Sequence, residues 1–225
     1  MDEIRIGMVG YGGMASNHGG YLRKNPIEGA RIAAVCDVKP ERLTKAKEDF
    51  GDDMPVFASA DEMLDAGGLD AVFIATPHYY HPPIAVNAFK RGLHVLTEKP
   101  AGVYTKQVRE MNEAAKASGK VFAIMFQQRT NAAHQKMREI LTSGELGEIN
   151  RVMIEVTRWF RSQSYYDGGG WRATWKGEGG GVLINQCPHD LDLWQWVCGM
   201  PKAITAHMGF GKYHDIEVED DVSAL

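Results

Sequence analysis

The 225-residue sequence predicts an α/β fold in two parts, a parallel sheet sandwiched by helices and then a smaller domain of mixed strands and helices. Three observations predict it. Short β-branched runs alternate with helix-like stretches over the first 125 residues. A glycine-rich turn follows the first of those runs. Beyond about residue 126 the alternation gives way to a helix, a longer strand-like segment and glycine clusters.

The first run, "IRIGMV", leads directly into "VGYGGMA" at 9–15. Gly10, Gly12 and Ala15 match G-x-G-x-x-A at the first strand-to-helix junction of a dinucleotide-binding Rossmann domain. Gly10 permits the tight turn, Gly12 clears the approach of a pyrophosphate, and Ala15 lets the helix pack close to the strand. The N–H groups of that helix start then face the phosphates. Gly13 adds slack.

The second run, "RIAAVCD" (31–37), ends in Asp37, about 20 residues past the glycine turn. A carboxylate there accepts from both ribose hydroxyls and repels a 2′-phosphate, so NAD is expected over NADP, with Lys39 as the nearby cation that weakens the argument. "PERLTKAKEDF" (40–50) reads as the next helix.

"DAVFIAT" (70–76), "HVLTEK" (94–99) and "VFAIMF" (121–126) continue the set, nearly all apolar, as strands covered on both faces are. "HPPIAVNAFKRG" (81–92) and "TKQVREMNEAAKASG" (105–119) read as helices, the latter capped by Thr105 and stopped at Gly119. Ligands of such sheets bind beyond the carboxyl ends of the strands. Those ends read "ATPHYYHPP" (75–83) and "TEKPAG" (97–102). Most lysines are solvated surface charges. Lys99, between a strand end and a proline, is instead placed to bind a hydroxyl and move its proton.

In the second part, "AAHQKMREILTSGELG" (132–147) reads as a helix and "EINRVMIEVTRWF" (148–160) as a long, partly alternating strand. "DGGG" and "GEGGG" read as a flexible loop, "HDLDLWQWVCG" (189–199) as a helix, and "AITAHMGFG" and "IEVEDDVSAL" as strands. Trp194, Trp196 and Leu193 read as core, and His134 and His207 as surface or packing residues. The last strand pattern has no closing turn after it, which reads as a truncated chain whose final strand is an open edge or is covered by another subunit.

The totals exclude several classes. A net charge of −4 argues against nucleic acid as a bulk electrostatic partner. The start is acidic and resembles no signal peptide, and no apolar run is long enough to span a bilayer. Three cysteines, Cys36, Cys187 and Cys198, without C-x-x-C spacing imply a reducing compartment, hence a cytoplasmic protein without disulfides.

Taken in order, "GYGGMA", "CD" at 36–37, "TPHYYH", "TEKP" and "GGGVLINQCPHDLD" resemble the Gfo/Idh/MocA family of NAD(P)-dependent sugar and cyclitol dehydrogenases. The resemblance runs from about residue 4 to the C-terminus. It implies a Rossmann domain over 1–126 and, over 127–225, part of a domain with an open, mainly antiparallel sheet that binds substrate and joins subunits into a homo-oligomer. Gly10, Tyr11, Gly12, Gly13, Met14 and Ala15 would form the cofactor turn, and Asp37 would hold the ribose. Thr76, Pro77, His78 and His81 would line the nicotinamide side. Glu98 and Lys99 would stand at the reacting centre, with a cis bond before Pro100. Gln127, at the end of the strand at 121–126, and Trp171 and Arg172 would reach the cofactor.

The stretch "NQCPHDLD" (185–192) admits a metal site, an acid/base site or a plain helix entry. The spacing of Cys187, His189, Asp190 and Asp192 suits a metal poorly, so none is expected. Asp190 reads as the first-turn complement of the helix dipole and Asp192 as a structural carboxylate. In the family an Asp and a His four positions apart face the lysine. Here the His is His189, and Asn185 stands at the Asp position. Asn185 orients or hydrogen-bonds without charge, so His189 is expected to be a weaker base, and a carboxylate restored at 185 is expected to raise activity or move its pH profile. The implied function is hydride transfer between a secondary alcohol of a small sugar or cyclitol and NAD. Its alternatives are an NAD-dependent glycosidase of the same family and a non-catalytic NAD-binding regulatory subunit.

Overall fold

The computed structural model describes residues 3–157 and 159–225, in two compact units divided between Met125 and Phe126. The first unit runs β1 (Ile4–Val9), α1 (Gly13–Lys24), β2 (Ala30–Cys36), α2 (Pro40–Phe50), β3 (Val56–Phe57), α3 (Ala60–Ala66), β4 (Ala71–Ile74), α4 (His81–Lys90), β5 (His94–Thr97), α5 (Thr105–Ser118) and β6 (Phe122–Ile124). The six strands are parallel in the order β3-β2-β1-β4-β5-β6. The order reverses between β1 and β4, which opens a crevice at the strands' carboxyl ends.

The period of two along each strand divides the core between the faces. Met8, Val35 and Phe73 pack with Ala15 of α1 and Ala46 of α2. Their neighbours Val9, Cys36 and Ile74 pack with Met63 of α3, Phe89 of α4 and Met111 of α5.

Two elements of this unit escape the sequence reading. β3 has two residues, too short to show any period. α3 is announced by Ser59 and Glu62, a capping spacing, and the Ser59 hydroxyl accepts the Glu62 N–H at 3.2 Å. Thr105 does not cap α5; it is the first helical residue, and the cap position is Tyr104. Gly119 ends that helix in the left-handed conformation at φ 64°.

The second unit contains α6 (Ala132–Thr142), α7 (Gln163–Asp167), α8 (Val182–Asn185), α9 (Pro188–Cys198), β7 (Ala206–Phe210) and β8 (Glu219–Ala224). β7 and β8 form an antiparallel pair, so the last strand is paired on one edge. Arg129 joins Asp192 of α9 by two hydrogen bonds, at 2.7 and 2.5 Å, confirming a structural use of that carboxylate. Trp196 lies under the guanidinium groups of Arg129 and Arg138, at 5.6 and 4.5 Å from its ring centre.

Two expectations fail here. Among the described residues of 148–160 there is no strand, and Val152, Met153, Ile154 and Phe160 are exposed. Alternation makes a strand only where a neighbouring strand takes up its N–H and C=O groups, and β7 and β8 pair with each other. The "GEGGG" stretch is not a loose loop either. A Cβ on Gly177 would stand 2.2 Å from Trp171 O, and one on Gly181 2.0 Å from Glu219 O. These glycines are there for close packing. Among the described residues no helix is long and apolar enough to cross a membrane.

Candidate active site

At the switch point Gly10 turns with φ 85°, its N–H donating to Cys36 O at 2.8 Å. A Cβ there would meet Ala75 O at 3.0 Å and the Thr76 methyl at 3.1 Å. The glycine therefore lets the turn after β1 press against the segment after β4. Ala15 is fully buried against the sheet, as close helix packing requires. Gly12 is the N-cap of α1 and offers no side-chain cap, and the first turn carries no acidic residue. Its N–H groups keep their pull on an anion. A Cβ on Gly13 would meet nothing within 4 Å among the described residues. Thr76 Oγ1 is buried without a hydrogen-bond partner among the described residues. An open helix start, free space and an orphaned hydroxyl together fit a dinucleotide pyrophosphate.

Tyr11 departs from the rest of the turn. Its ring is 1% exposed in the core, and its hydroxyl donates to Asp49 at 2.9 Å. Burial, with the Asp49 carboxylate second, holds the phenol protonated. Its side chain therefore offers nothing to a cofactor, and only its backbone belongs to the turn.

Asp37 is 5% exposed and already engaged. Its Oδ2 accepts the Tyr11 N–H at 2.7 Å and an Arg42 N–H at 3.1 Å, and its Oδ1 accepts the Lys39 N–H at 2.9 Å. The carboxylate thus ties the glycine turn to the end of β2. A carboxylate has about four lone-pair sites. Binding both ribose hydroxyls through them requires Arg42 to move aside. Arg42 is the residue that sequence reasoning missed; Lys39 was the nearer cation in sequence, but α2 carries Arg42 back over Asp37.

The segments after β4 and β5 are braced by His81. Its ring is fully buried, with Nδ1 2.7 Å from Pro100 O and Nε2 2.8 Å from Thr76 O. Of the four residues the resemblance places along the nicotinamide, His81 has no exposed face and acts on the others through the backbone. His78 is 4% exposed, and Pro77 is half-buried. The Lys99–Pro100 bond is cis, as the family resemblance implies. Lys99 is half-buried at the end of β5, and its N–H donates to Glu98 Oε2 at 3.2 Å. The other oxygen of Glu98 meets His18 Nε2 at 2.9 Å. His18, on α1, carries no motif in the sequence.

In the second unit Gln127 is exposed at the start of a 3-10 turn, Gln127–Thr130. The strand expected to end at it stops at Ile124. The Arg172 guanidinium lies over the rings of Tyr165 and Trp171, at 4.7 and 5.2 Å. Asn185 ends α8 and donates through Nδ2 to Oε1 of Glu178. His189 and Asp190 lie in the first turn of α9, which Pro188 opens. The His189 ring stands edge-on to Phe126, centroids 6.1 Å apart. Among the described residues no three His, Cys, Asp or Glu side chains converge as a metal site.

Comparison with known proteins places this geometry. Residues 4–126 match the family model described as oxidoreductase family, NAD-binding Rossmann fold, and residues 134–225 match the GFO/IDH/MocA C-terminal domain. The chain is similar to D-glucoside 3-dehydrogenase of Escherichia coli (strain K12), 32% identical over 208 residues, which are 91% of this chain and 57% of that protein. It is similar to inositol 2-dehydrogenase of Arthrobacter sp. (strain FB24), 32% identical over 149 residues, 66% of this chain and 44% of that one. Among solved structures it resembles the WlbA dehydrogenase of Chromobacterium violaceum in complex with NADH and UDP-GlcNAcA, at a TM-score of 0.92 and 34% identity, covering 100% of this chain and 63% of that one. The chain thus spans about half the length of the curated relatives it matches.

Proposed function

The chain belongs to the GFO/IDH/MocA oxidoreductase family, and from that premise we propose that it moves hydride between a secondary alcohol of a sugar or cyclitol and NAD. The observation that carries the reading is the setting of Lys99. Its flanks are fixed on both sides, by the Glu98 carboxylate on its own N–H and by the His81 ring on Pro100 O. A lysine so held beyond a strand end supports a role for it at the crevice where α/β sheets bind ligands.

Bound NAD supplies the hydride acceptor, and the protein handles position and protons. The first turn of α1 binds the pyrophosphate, and Asp37 orders the turn beneath it. Thr76 Oγ1 would find its partner in the bound cofactor. Lys99 takes the alcohol proton during oxidation and returns it during reduction. From the second unit the reading assigns His189 as the second proton-handling group and Asn185 as a hydrogen-bond partner of the alcohol. Relatives named for glucoside and inositol substrates support a polyol or sugar as the substrate class.

A panel of sugars and cyclitols with NAD, read by NADH absorbance, tests the reading. Turnover on at least one is expected. Lys99→Ala should then lose about 10²–10⁴-fold in kcat, the range of a general acid–base group, while its thermal midpoint and NAD affinity hold. NAD binding without turnover on any polyol, or full activity in Lys99→Ala, would overturn it.

A further inference from the structure

Two arginines of the second unit stand on one tyrosine. The guanidinium carbons of Arg161 and Arg172 lie over the Tyr165 ring, 4.9 and 4.7 Å from its centre. Arg161 also lies over Trp159, at 5.2 Å, and Arg172 over Trp171, at 5.2 Å. Both arginines are half-buried. Among the described residues no carboxylate pairs with either guanidinium. Arg161 donates from Nη1 only to Phe160 O, at a long 3.4 Å, and its Nε is buried without a hydrogen-bond partner among the described residues.

A guanidinium keeps its charge throughout the range of protein pH. A ring face attracts that charge and leaves the N–H donors in the guanidinium plane to other partners. Two like charges drawn half out of water beside one ring call for an anion. The chain around them is built to hold them there. His214 Nε2 stands 2.9 Å from Arg161 O and fixes that backbone. A Cβ on Gly169 would meet Arg172 Cγ at 2.9 Å and Nη1 at 3.0 Å, so the glycine leaves the room Arg172 fills. Carboxylates of the same unit are engaged elsewhere. Asp167 accepts from Gln163 at 2.9 Å, and Asp220 accepts the Tyr213 and His214 N–H groups at 2.8 and 3.1 Å.

From this we propose that Arg161 and Arg172 form an anion-binding subsite for a carboxylate or phosphate carried by the substrate. The substrate class is then an acidic sugar or cyclitol, a uronic acid or a sugar phosphate. Planar forks of N–H donors suit both groups. The inference rests on the dehydrogenase reading for the sugar part of the ligand. It is tied to that reading within the second unit. Tyr165 packs with Ala173, the neighbour of Arg172, and Ala173 N–H donates to Glu178 Oε2 at 2.7 Å. The other oxygen of Glu178 takes the amide of Asn185. The family resemblance turns Arg172 toward the cofactor, so bound NAD is the other source of phosphate, and the test separates the two.

The experiment is calorimetric titration of the native chain, saturated with NAD, using matched pairs: glucose against glucuronate, galactose against galacturonate, and glucose and inositol against their monophosphates. In at least one pair the acid should bind about tenfold or more tightly than its neutral parent, the scale of one charge-assisted hydrogen bond. The gap should narrow as salt is raised. Arg161→Met and Arg172→Met should each cut that ratio by about tenfold. Arg161→Lys, which keeps the charge without the fork, should cut it less. NAD affinity should stay within about threefold in Arg161→Met, well short of one lost charge-assisted bond. An arginine that only held the fold would lower the thermal midpoint and leave the ratio alone. No preference for the acid in any pair overturns the inference without need of a variant. A loss of NAD affinity in both Met variants, with the ratio intact, assigns the cations to the cofactor's phosphates and also overturns it. Turnover is read apart, by NADH absorbance. Acid preference without turnover of any sugar supports the subsite and sinks the dehydrogenase reading; turnover without acid preference does the reverse.

Discussion

His18 Nε2 lies 2.9 Å from Glu98 Oε1, although 80 residues separate the two. The pair joins α1, whose start is proposed to bind the pyrophosphate, to the strand end that carries Lys99. Glu98 is nearly closed off from solvent at 7% side-chain exposure, and His18 is about one-third exposed. The ring of His18 is also set edge-on to Phe73, at 5.1 Å. His18→Ala should take the ring from Glu98 Oε1, leave the Lys99 N–H on Oε2, and loosen the lysine's seat. A fall in kcat of about threefold to tenfold is expected, the value of one hydrogen bond to a charged group partly replaced by water. Glu98→Ala should fall further. Steady-state kinetics with NAD saturating would check the order; equal, native activity in both variants would refute it.

Gly13→Ala separates cofactor binding from folding. Among the described residues nothing lies within 4 Å of the added methyl, and alanine suits a helix better than glycine. The thermal midpoint should hold or rise slightly, while NAD affinity falls by about tenfold or more as the methyl enters the phosphate space. Calorimetric titration beside a melting curve gives both numbers. Undiminished affinity would move the pyrophosphate away from this turn.

Arg42 bears on the choice between cofactors. It donates to Asp37 at 3.1 Å and is the cation best placed to meet a 2′-phosphate. NAD should still bind more tightly than NADP, because the Asp37 carboxylate stays at the site. Arg42→Ala should widen that preference by about tenfold, from one lost charge-assisted bond on the NADP side. Titrating both cofactors against both proteins tests it, and a narrowed preference would contradict it.

His81 makes stability fall with acid. Burial pushes its pKa down from the ordinary 6.5, and Lys99 adds to this, against the opposing pull of Pro100 O, Thr76 O and the Glu98 charge. The unfolded chain then binds the extra proton first as the pH drops. The contribution is whole above about pH 6.5 and is lost as the pH falls below it. His81→Gln should lower the thermal midpoint at pH 7.5, since the neutral ring's one N–H to a backbone carbonyl and its packing are lost, and should flatten its slope between about pH 7 and 5. An unchanged slope in the variant would assign the acid sensitivity elsewhere.

The first unit was legible because its signals are local. Nearly unbroken apolar runs, a G-x-G-x-x-A turn and Asp37 at the next strand end each reveal themselves within a few residues, and parallel βαβ units leave few ways to connect them. β3 was invisible because two residues show no period, and Thr105 was misread because a cap is settled by one backbone angle. The second unit was less legible. The segment at 148–160 has a strand's composition, but a strand exists only through the partner that bonds it, and sequence names no partner. The glycines of "GEGGG" looked like freedom and proved to be places where backbones touch.

By itself the sequence determined the sheet, the phosphate-binding turn, the family, and the presence of Lys99 and the "NQCPH" stretch in their order. What the tertiary structure decided was who meets them. It set Arg42 on Asp37, His18 on Glu98, His81 between Thr76 and Pro100, and Glu178 on Asn185. The physical reason is that a motif is read along the chain, whereas hydrogen-bond polarity, burial and charge pairing are set across it.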